Sequence, residues 1–171
     1  MTETNEYTFS DDDYCDFWIK ELLPEYKFSG DYEFLREDEC DDAQAVAESC
    51  KGRGFVDEVI IDVREWLKGE EISAKNTGVT DCAVLVHKVD GKIVAISCTG
   101  IYGHDNEKGV AVWVRMIATT PKFQGQGIGR NLLMQTLQYG VEHGAKLAFL
   151  HVDLANTNAV KLYESIGFVR D

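Results

Sequence analysis

The spacing of hydrophobic positions changes near residue 82 and divides the chain into a helical part and a β-rich part. Between residues 41 and 68, apolar side chains recur at intervals of three and four residues, which predicts two amphipathic helices. The predicted buried positions of these helices are Ala43, Val46, Ala47, Cys50, Val56, Val59, Ile60, Val63 and Leu67. The polar stretch from Gly69 to Gly78 predicts a loop.

From Cys82 onward, runs rich in Val and Ile predict strands at Cys82–Val89, Lys92–Ile101 and Val110–Thr119. Asp90-Gly91 between the first two runs is a strong hairpin signal. The other predicted elements are a strand at Tyr32–Arg36, a helix ending near Glu142, a buried strand at Leu147–Leu154, a short helix closed by Gly167 and a strand beginning at Phe168. This order predicts an α/β fold (α+β mixed sheet) that is mostly antiparallel, with helices on both faces.

A single domain is expected over residues 31–171, because a chain of 171 residues can bury one sizeable core. Residues 1–30 are interpreted as an N-terminal extension. In it, Asp11–Asp13 could cap a short helix that runs through Phe17 and Leu23 and ends near Pro24.

The composition narrows the possible partners and the compartment. The formal net charge is −13, and 22 of the 30 acidic residues lie in residues 1–80. Such a surface repels nucleic acids and anionic membranes, so neither is expected as a partner. No apolar run approaches the roughly 18 residues of a membrane helix, and the acidic N-terminus does not resemble a secretory signal. Five cysteines without CxxC spacing favour a reducing, cytoplasmic location over a disulfide framework or a metal site.

Three glycines, Gly125, Gly127 and Gly129, lie between a predicted strand and a predicted helix. Backbone N–H groups at a glycine-rich helix start can bind a phosphate or pyrophosphate. A P-loop is excluded because no Gly-Lys-Ser/Thr follows, and a dinucleotide fingerprint fails because Arg130 stands where its third glycine would be. A glycine-rich turn without a ligand is the remaining alternative.

The segment Gln124-x-x-Gly127-x-Gly129 resembles a motif of the GNAT superfamily of N-acetyltransferases. A second segment resembles the last motif of that family, and its residues are Asn156, Ala159, Leu162, Tyr163, Gly167 and Phe168. The resemblance covers about residues 31–169 and implies the GNAT acyltransferase fold. In this family a further strand normally follows the one that begins at Phe168. Either the sequence stops short of that strand, or residues 7–9 or a second subunit cover the exposed edge, which leaves monomer and homodimer both open.

The resemblance implies acetyl-CoA as co-substrate and no metal. The end of the third β-run would pair with the pantetheine arm, the glycine segment would bind the pyrophosphate, and Asn156 would bond the pantetheine. The implied CoA-binding residues are Ile117, Ala118, Thr119, Gln124, Gly125, Gln126, Gly127, Ile128, Gly129, Arg130 and Asn156.

The implied reaction is direct attack of a primary amine on the thioester in a ternary complex. Tyr163 is the predicted acid beside the departing sulfur, and its alternative is a packed core tyrosine. His151 is the predicted base, because histidine titrates near neutral pH and this fold should separate the neighbouring strands at that point. Asp153, which could also orient the histidine, and solvent are the competing bases, and a core histidine is the structural alternative.

The sequence identifies the acceptor only as an amine. Acidic residues on the predicted acceptor side favour a cationic acceptor such as a polyamine, an aminoglycoside or a protein amine; they are Asp57, Glu58, Asp62, Glu65, Glu70 and Glu71. The rival function is a non-catalytic module that binds acyl-CoA as a sensor or scaffold, since no carboxylate lies within Val110–Thr119 and Trp113 stands where some relatives place Glu.

Overall fold

A computed structural model describes residues 14–19, 21–22, 31–50, 60–103 and 109–170. Its strands form one sheet in the order β2-β3-β4-β5-β6-β1-β7. The strands are β1 (Tyr14–Ile19), β2 (Glu33–Phe34), β3 (Thr80–Val89), β4 (Lys92–Tyr102), β5 (Ala111–Thr119), β6 (Leu147–Asp153) and β7 (Val169–Arg170). The helices are α1 (Cys40–Ser49), α2 (Val63–Leu67), α3 (Ile72–Thr77), α4 (Ile128–Glu142) and α5 (Thr157–Ile166).

Among the described residues, the sheet separates two large hydrophobic cores. One core packs α4 and α5 against the sheet through Leu132, Leu137 and Ile166, and the other packs α1 and α2 through Val46 and Trp66. All neighbouring strands are antiparallel except β5 and β6. The predicted mixed, mostly antiparallel sheet with helices on both faces is therefore confirmed. Within the described part of the chain, no helix is long and apolar enough to cross a membrane.

The hairpin between β3 and β4 forms where the sequence predicts it. Asp90 has φ 51° and Gly91 has φ 77°, and two successive positive φ angles are typical of a type I′ turn. Aspartate tolerates this conformation better than most residues, and glycine adopts it without a steric penalty. The turn fixes the pairing of Val89 with Lys92 at the start of the hairpin.

The predicted N-terminal helix is wrong, because Tyr14–Ile19 forms β1. This strand lies between β6 and β7 and pairs antiparallel with both. Phe17 and Ile19 are buried in the core that also contains α4. A short apolar run is compatible with a helix or a strand, and here the long-range pairing decides for a strand. These residues belong to the sheet and cover β6, whereas residues 7–9 lie outside the described residues.

The predicted loop from Gly69 to Gly78 is also wrong, since α3 lies within it. The Glu71 carboxylate caps this helix by accepting hydrogen bonds from the N–H groups of Ser73 and Ala74. Gly78 ends it with φ 68°. Of the predicted helix through Val56 and Leu67, the structure describes α2, and residues 51–59 lie outside the described part.

The parallel strands β5 and β6 stay together for only part of their length. Their pairing runs from Ala111 with Leu147 to Val114 with Leu150 and then stops. A β-bulge lies at the same place, because Val114 and Met116 of β5 face the consecutive residues Thr99 and Cys98 of β4, which leaves Arg115 as the extra residue. The strands therefore part beside His151, as the sequence analysis expected.

Candidate active site

A cavity of about 1000 Å³ opens where β5 and β6 part. The ends of both strands, the loop before α4 and one side of α5 line it. Eleven predicted site residues line the cavity: Ile117, Ala118, Thr119, Gln124, Gly125, Gly127, Gly129, Arg130, His151, Asn156 and Tyr163. Gln126 and Ile128 do not line it. The fold thus brings the two sequence motifs to one space.

The glycine segment presents the start of α4 to this cavity. Gly125 and Gly127 have φ angles of 78° and 82°, which glycine adopts readily, and Gly127 is the N-cap of the helix. No side chain caps the start of α4 or of α1, whereas Asp62, Glu71 and Asn156 cap α2, α3 and α5. The first N–H groups of the 15-residue helix α4 therefore lack side-chain acceptors and are suited to bind an anion.

Two side chains of the motif hold the segment in place. Gln124 donates from Nε2 to the carbonyl oxygen of Thr119 at 2.9 Å, which ties the loop to the end of β5. Arg130 donates from Nη1 to Ser165 Oγ at 2.8 Å, which ties α4 to α5. The positive charge of Arg130 thereby stays beside the uncapped helix start.

One edge of β5 is open along the cavity. Ile117, Ala118 and Thr119 pair with β4 on one side, but β6 has already left the opposite side. An extended ligand can pair with such an edge as an additional strand would. At the far side of the cavity, Asn156 accepts the Ala159 N–H through Oδ1, so its Nδ2 keeps its donor capacity.

Tyr163 of α5 combines a buried ring with a hydroxyl at the cavity. The residue is 8% exposed, and its ring packs against Phe168 with the ring centroids 6.0 Å apart. The hydroxyl has no hydrogen-bond partner among the described residues. Burial raises the pKa of Tyr163 to about 12, so the phenol stays protonated at neutral pH. This arrangement differs from a core tyrosine whose hydroxyl is satisfied by protein.

His151 is paired with a residue that the sequence analysis did not single out. Its Nδ1 lies 2.6 Å from Oδ1 of Asp16, which is directly opposite on β1. A carboxylate can only accept a hydrogen bond, so Nδ1 carries the proton and the neutral ring has its lone pair on Nε2. Both side chains are about half exposed, at 49% and 48%, so His151 is not a core histidine. No local signal could identify Asp16, because 135 positions separate the two residues.

Asp153, the competing base, has a structural task. Its Oδ1 accepts the N–H of Ala155 at 2.9 Å in the turn after β6. It lines the cavity, but the contact that orients His151 comes from Asp16. Trp113, at the position where some relatives carry Glu, packs edge-on against Trp66 with centroids 5.7 Å apart.

Arg115 is a second cavity residue that the sequence analysis missed. It stands in the bulge of β5, and its Nε donates to Ser73 Oγ at 3.1 Å. Its guanidinium carbon lies 5.7 Å from the centroid of the Trp113 ring. Burial lowers the pKa of the Arg115 guanidinium, which nevertheless stays charged. A single cation in an otherwise apolar strand was the signal that could have identified it.

The acidic residues that favoured a cationic acceptor lie elsewhere. Asp62 and Glu71 are helix caps, and none of the four described residues of that group lines the cavity; the four are Asp62, Glu65, Glu70 and Glu71. Asp57 and Glu58 lie outside the described residues. The carboxylates of the four described residues therefore give no reason to expect a cationic acceptor.

Comparison with known proteins identifies the family to which these features correspond. The model of the acetyltransferase (GNAT) family matches residues 61–168. N-alpha-acetyltransferase 30 of Homo sapiens is 37% identical over 59 residues, which are 34% of this chain and 16% of that protein. Mycothiol acetyltransferase of Acidothermus cellulolyticus is 36% identical over 81 residues, which are 47% of this chain and 24% of that protein. The matched segments thus span less than a quarter of either relative.

The fold has solved counterparts at low sequence identity. An aminoglycoside N-acetyltransferase in complex with CoA superposes with a TM-score of 0.59 and is 13% identical. The match covers 81% of this chain and 91% of that one. At this identity the likeness concerns the fold alone.

Proposed function

Because the chain belongs to the GNAT family of acetyltransferases, whose model matches residues 61–168, we propose that it transfers the acetyl group of acetyl-CoA to a primary amine. One observation carries the proposal. The cavity between β5 and β6 joins an uncapped helix start, an open strand edge, a protonated phenol and an oriented imidazole. Each of these four features matches one requirement of this reaction.

The residues present fit CoA. The N–H groups at the start of α4, with Arg130 beside them, suit the pyrophosphate. The open edge at Ile117–Thr119 suits the amide groups of the pantetheine arm, and Asn156 Nδ2 can donate to the same arm. The relative solved with CoA has the same fold, which supports this assignment. Acetyl-CoA supplies an activated acyl carbon, and the protein residues bind, orient and move protons.

His151 serves as the base in this proposal. An ammonium ion cannot attack until it loses a proton, and Nε2 holds the lone pair that accepts this proton. Asp16 keeps Nδ1 protonated and stabilises the imidazolium that forms. The nitrogen–carbon bond then forms as the carbon–sulfur bond breaks, so that the electron pair leaves on sulfur.

Tyr163 stabilises the departing sulfur in this proposal. Its hydroxyl is protonated and has no hydrogen-bond partner among the described residues, so it can donate a hydrogen bond to the thiolate. The proton that His151 has taken finally protonates the thiolate, and the attacking nitrogen releases its second proton to solvent, so that the ammonium ion and the thioester give the amide, the CoA thiol and one proton. The phenol therefore stabilises the leaving group and keeps its own proton at the end of the cycle.

A thiol-release assay tests the proposal. The protein is incubated with acetyl-CoA and a panel of amines, and free CoA thiol and acetylated amine are quantified together. We expect equal amounts of both products with at least one amine. Thermal stabilisation by CoA without turnover on any amine would instead favour a non-catalytic acyl-CoA-binding module, and the absence of both effects would reject the site.

A further inference from the structure

Arg115 occupies a special place on β5. As the extra residue of the bulge it has no counterpart on β4, and bulges redirect the side chains they carry. It follows the last pair between β5 and β6, so it stands where the cavity begins. Arg115 and Thr119, which lies at the end next to the glycine segment, are four positions apart, or about 13 Å of extended strand. Arg115 therefore lies away from the proposed pyrophosphate site, at the end that would hold the acceptor.

The guanidinium is fixed in orientation. Its Nε donates to Ser73 Oγ, and the hydroxyl of Ser73 in turn contacts the carboxylate of Glu71. Trp113 packs against the guanidinium. Ser73 and Trp113 also line the cavity, so the support surrounds the charge without covering it. A guanidinium held in this way loses little conformational freedom when it binds a ligand.

The charge of Arg115 is incompletely satisfied. Nη1 and Nη2 have no hydrogen-bond partner among the described residues. Oε2 of Glu71 is shared by Ser73 and the helix N–H groups, and no described carboxylate lies within ion-pair distance of Arg115. Asp153, the only described acidic residue lining the cavity, serves the turn at Ala155. Arg115 is only partly buried and Glu71 acts on it without direct contact, so its remaining N–H groups beside the cavity can receive an anion.

We propose that Arg115 binds a carboxylate of the acceptor, so that the substrate class is an amine that also carries a carboxyl group. The inference rests on the proposed function, since it specifies the acceptor of that reaction. Two N–H donors on a planar, oriented fork match the two oxygens of a carboxylate. The acceptor would thus be held at its carboxyl end while its amine faces His151.

Matched amines test the inference. Glycine, β-alanine and 4-aminobutyrate are compared with their carboxamides as acceptors for the wild type, Arg115→Gln and Arg115→Lys. The intrinsic reactivity of each amine cancels when the variant is compared with the wild type on the same amine. We expect Arg115→Gln to lower kcat/KM for at least one amino carboxylate by about tenfold or more, with less than about threefold change for its carboxamide.

Two controls separate this role from a structural one. Arg64→Gln removes an exposed arginine of α2 that pairs with Asp41 away from the cavity, and it should leave both substrates unchanged. Melting temperature and CoA affinity should also be unchanged in Arg115→Gln. Should that variant fail to fold, Arg115→Lys keeps the charge but not the fork and should show an intermediate selectivity. Equal losses on carboxylate and carboxamide, or no loss on either, would overturn the inference.

Calorimetry distinguishes failure of this inference from failure of the proposed function. The same amino carboxylates and carboxamides are titrated into the CoA-bound protein. Carboxylate binding that disappears in Arg115→Gln supports the inference even if no amine is turned over. Turnover that Arg115→Gln leaves unchanged, or lowers equally for carboxamides and carboxylates, leaves the proposed reaction intact and rejects the carboxylate site. Absence of both turnover and carboxylate-selective binding rejects both.

Discussion

His151 of β6 and Asp16 of β1 lie directly opposite one another, with Nδ1 2.6 Å from Oδ1. The histidine lines the cavity, and the aspartate comes from a strand near the N-terminus that lies between β6 and β7. The N-terminal strand thus completes the sheet and also orients the proposed base. Asp16 is a positioning residue in this arrangement, because it acts through His151.

Replacing Asp16 by Asn should keep the shape of the pair and remove its charge. We expect kcat to fall by about tenfold or more, the low end for positioned proton transfer. The imidazolium that forms on His151 loses a stabilising negative charge, whereas the KM for acetyl-CoA should stay nearly unchanged. Asp153→Asn is the matched comparison and should leave kcat nearly unchanged. An unchanged kcat in a folded Asp16→Asn protein would reject the positioning role.

Replacing Tyr163 by Phe removes only a hydroxyl that faces the cavity. We expect kcat to fall by about 100-fold when chemistry limits the rate, with CoA affinity nearly unchanged, because one hydrogen-bond donor to the developing thiolate is lost. Because burial raises the pKa of Tyr163 to about 12, the wild-type phenol should cause no loss of rate below about pH 10. Equal single-turnover rates for the two proteins would end the assignment of Tyr163 to the leaving group.

Replacing Gly127 by Glu should weaken CoA binding by more than about tenfold, because a carboxylate would stand at the anion site. The substitution also strains the backbone, since φ is 82° there. Gly144→Glu imposes the same strain beyond the opposite end of α4, where φ is 84° and a side chain meets nothing within 4 Å. Melting temperatures should fall similarly in both variants, whereas calorimetry should show lost CoA affinity only for Gly127→Glu. Equal CoA affinities would contradict the pyrophosphate site.

The part of the fold that the sequence predicts is the part with an unambiguous local signal. Long Val- and Ile-rich runs around Asp90-Gly91 identify β3 and β4, and the helical spacing that ends near Glu142 identifies α4. The six-residue helix α3 escaped detection because a glutamate, an unusual N-cap, begins it. The strand β1 escaped because its apolar run is short and its partners lie far along the chain.

The same distinction applies to the residues of the candidate site. The glycine segment and the Tyr163 helix are contiguous motifs, and the sequence predicts both of them together with His151. Asp16 and Arg115 depend on which strands become neighbours and where β5 bulges, and these are properties of the assembled sheet. Spacing along the chain carries no information about such contacts. A cytoplasmic location and the choice between monomer and homodimer stay predictions from the sequence.

The measurement that tests the proposed chemistry most directly is the pH dependence of kcat/KM for the wild type and His151→Gln. The titratable side chains that line the cavity with His151 are Cys50, Tyr102, Arg115, Arg130, Asp153 and Tyr163. Asp16 of β1 contacts His151 itself. A base must be unprotonated to act, so the wild-type kcat/KM should rise with pH through one ionisation. In folded His151→Gln this ionisation should vanish, and the rate near neutral pH should fall by about tenfold or more. An unaltered profile in folded His151→Gln would contradict the assignment and give the base to Asp153 or to solvent.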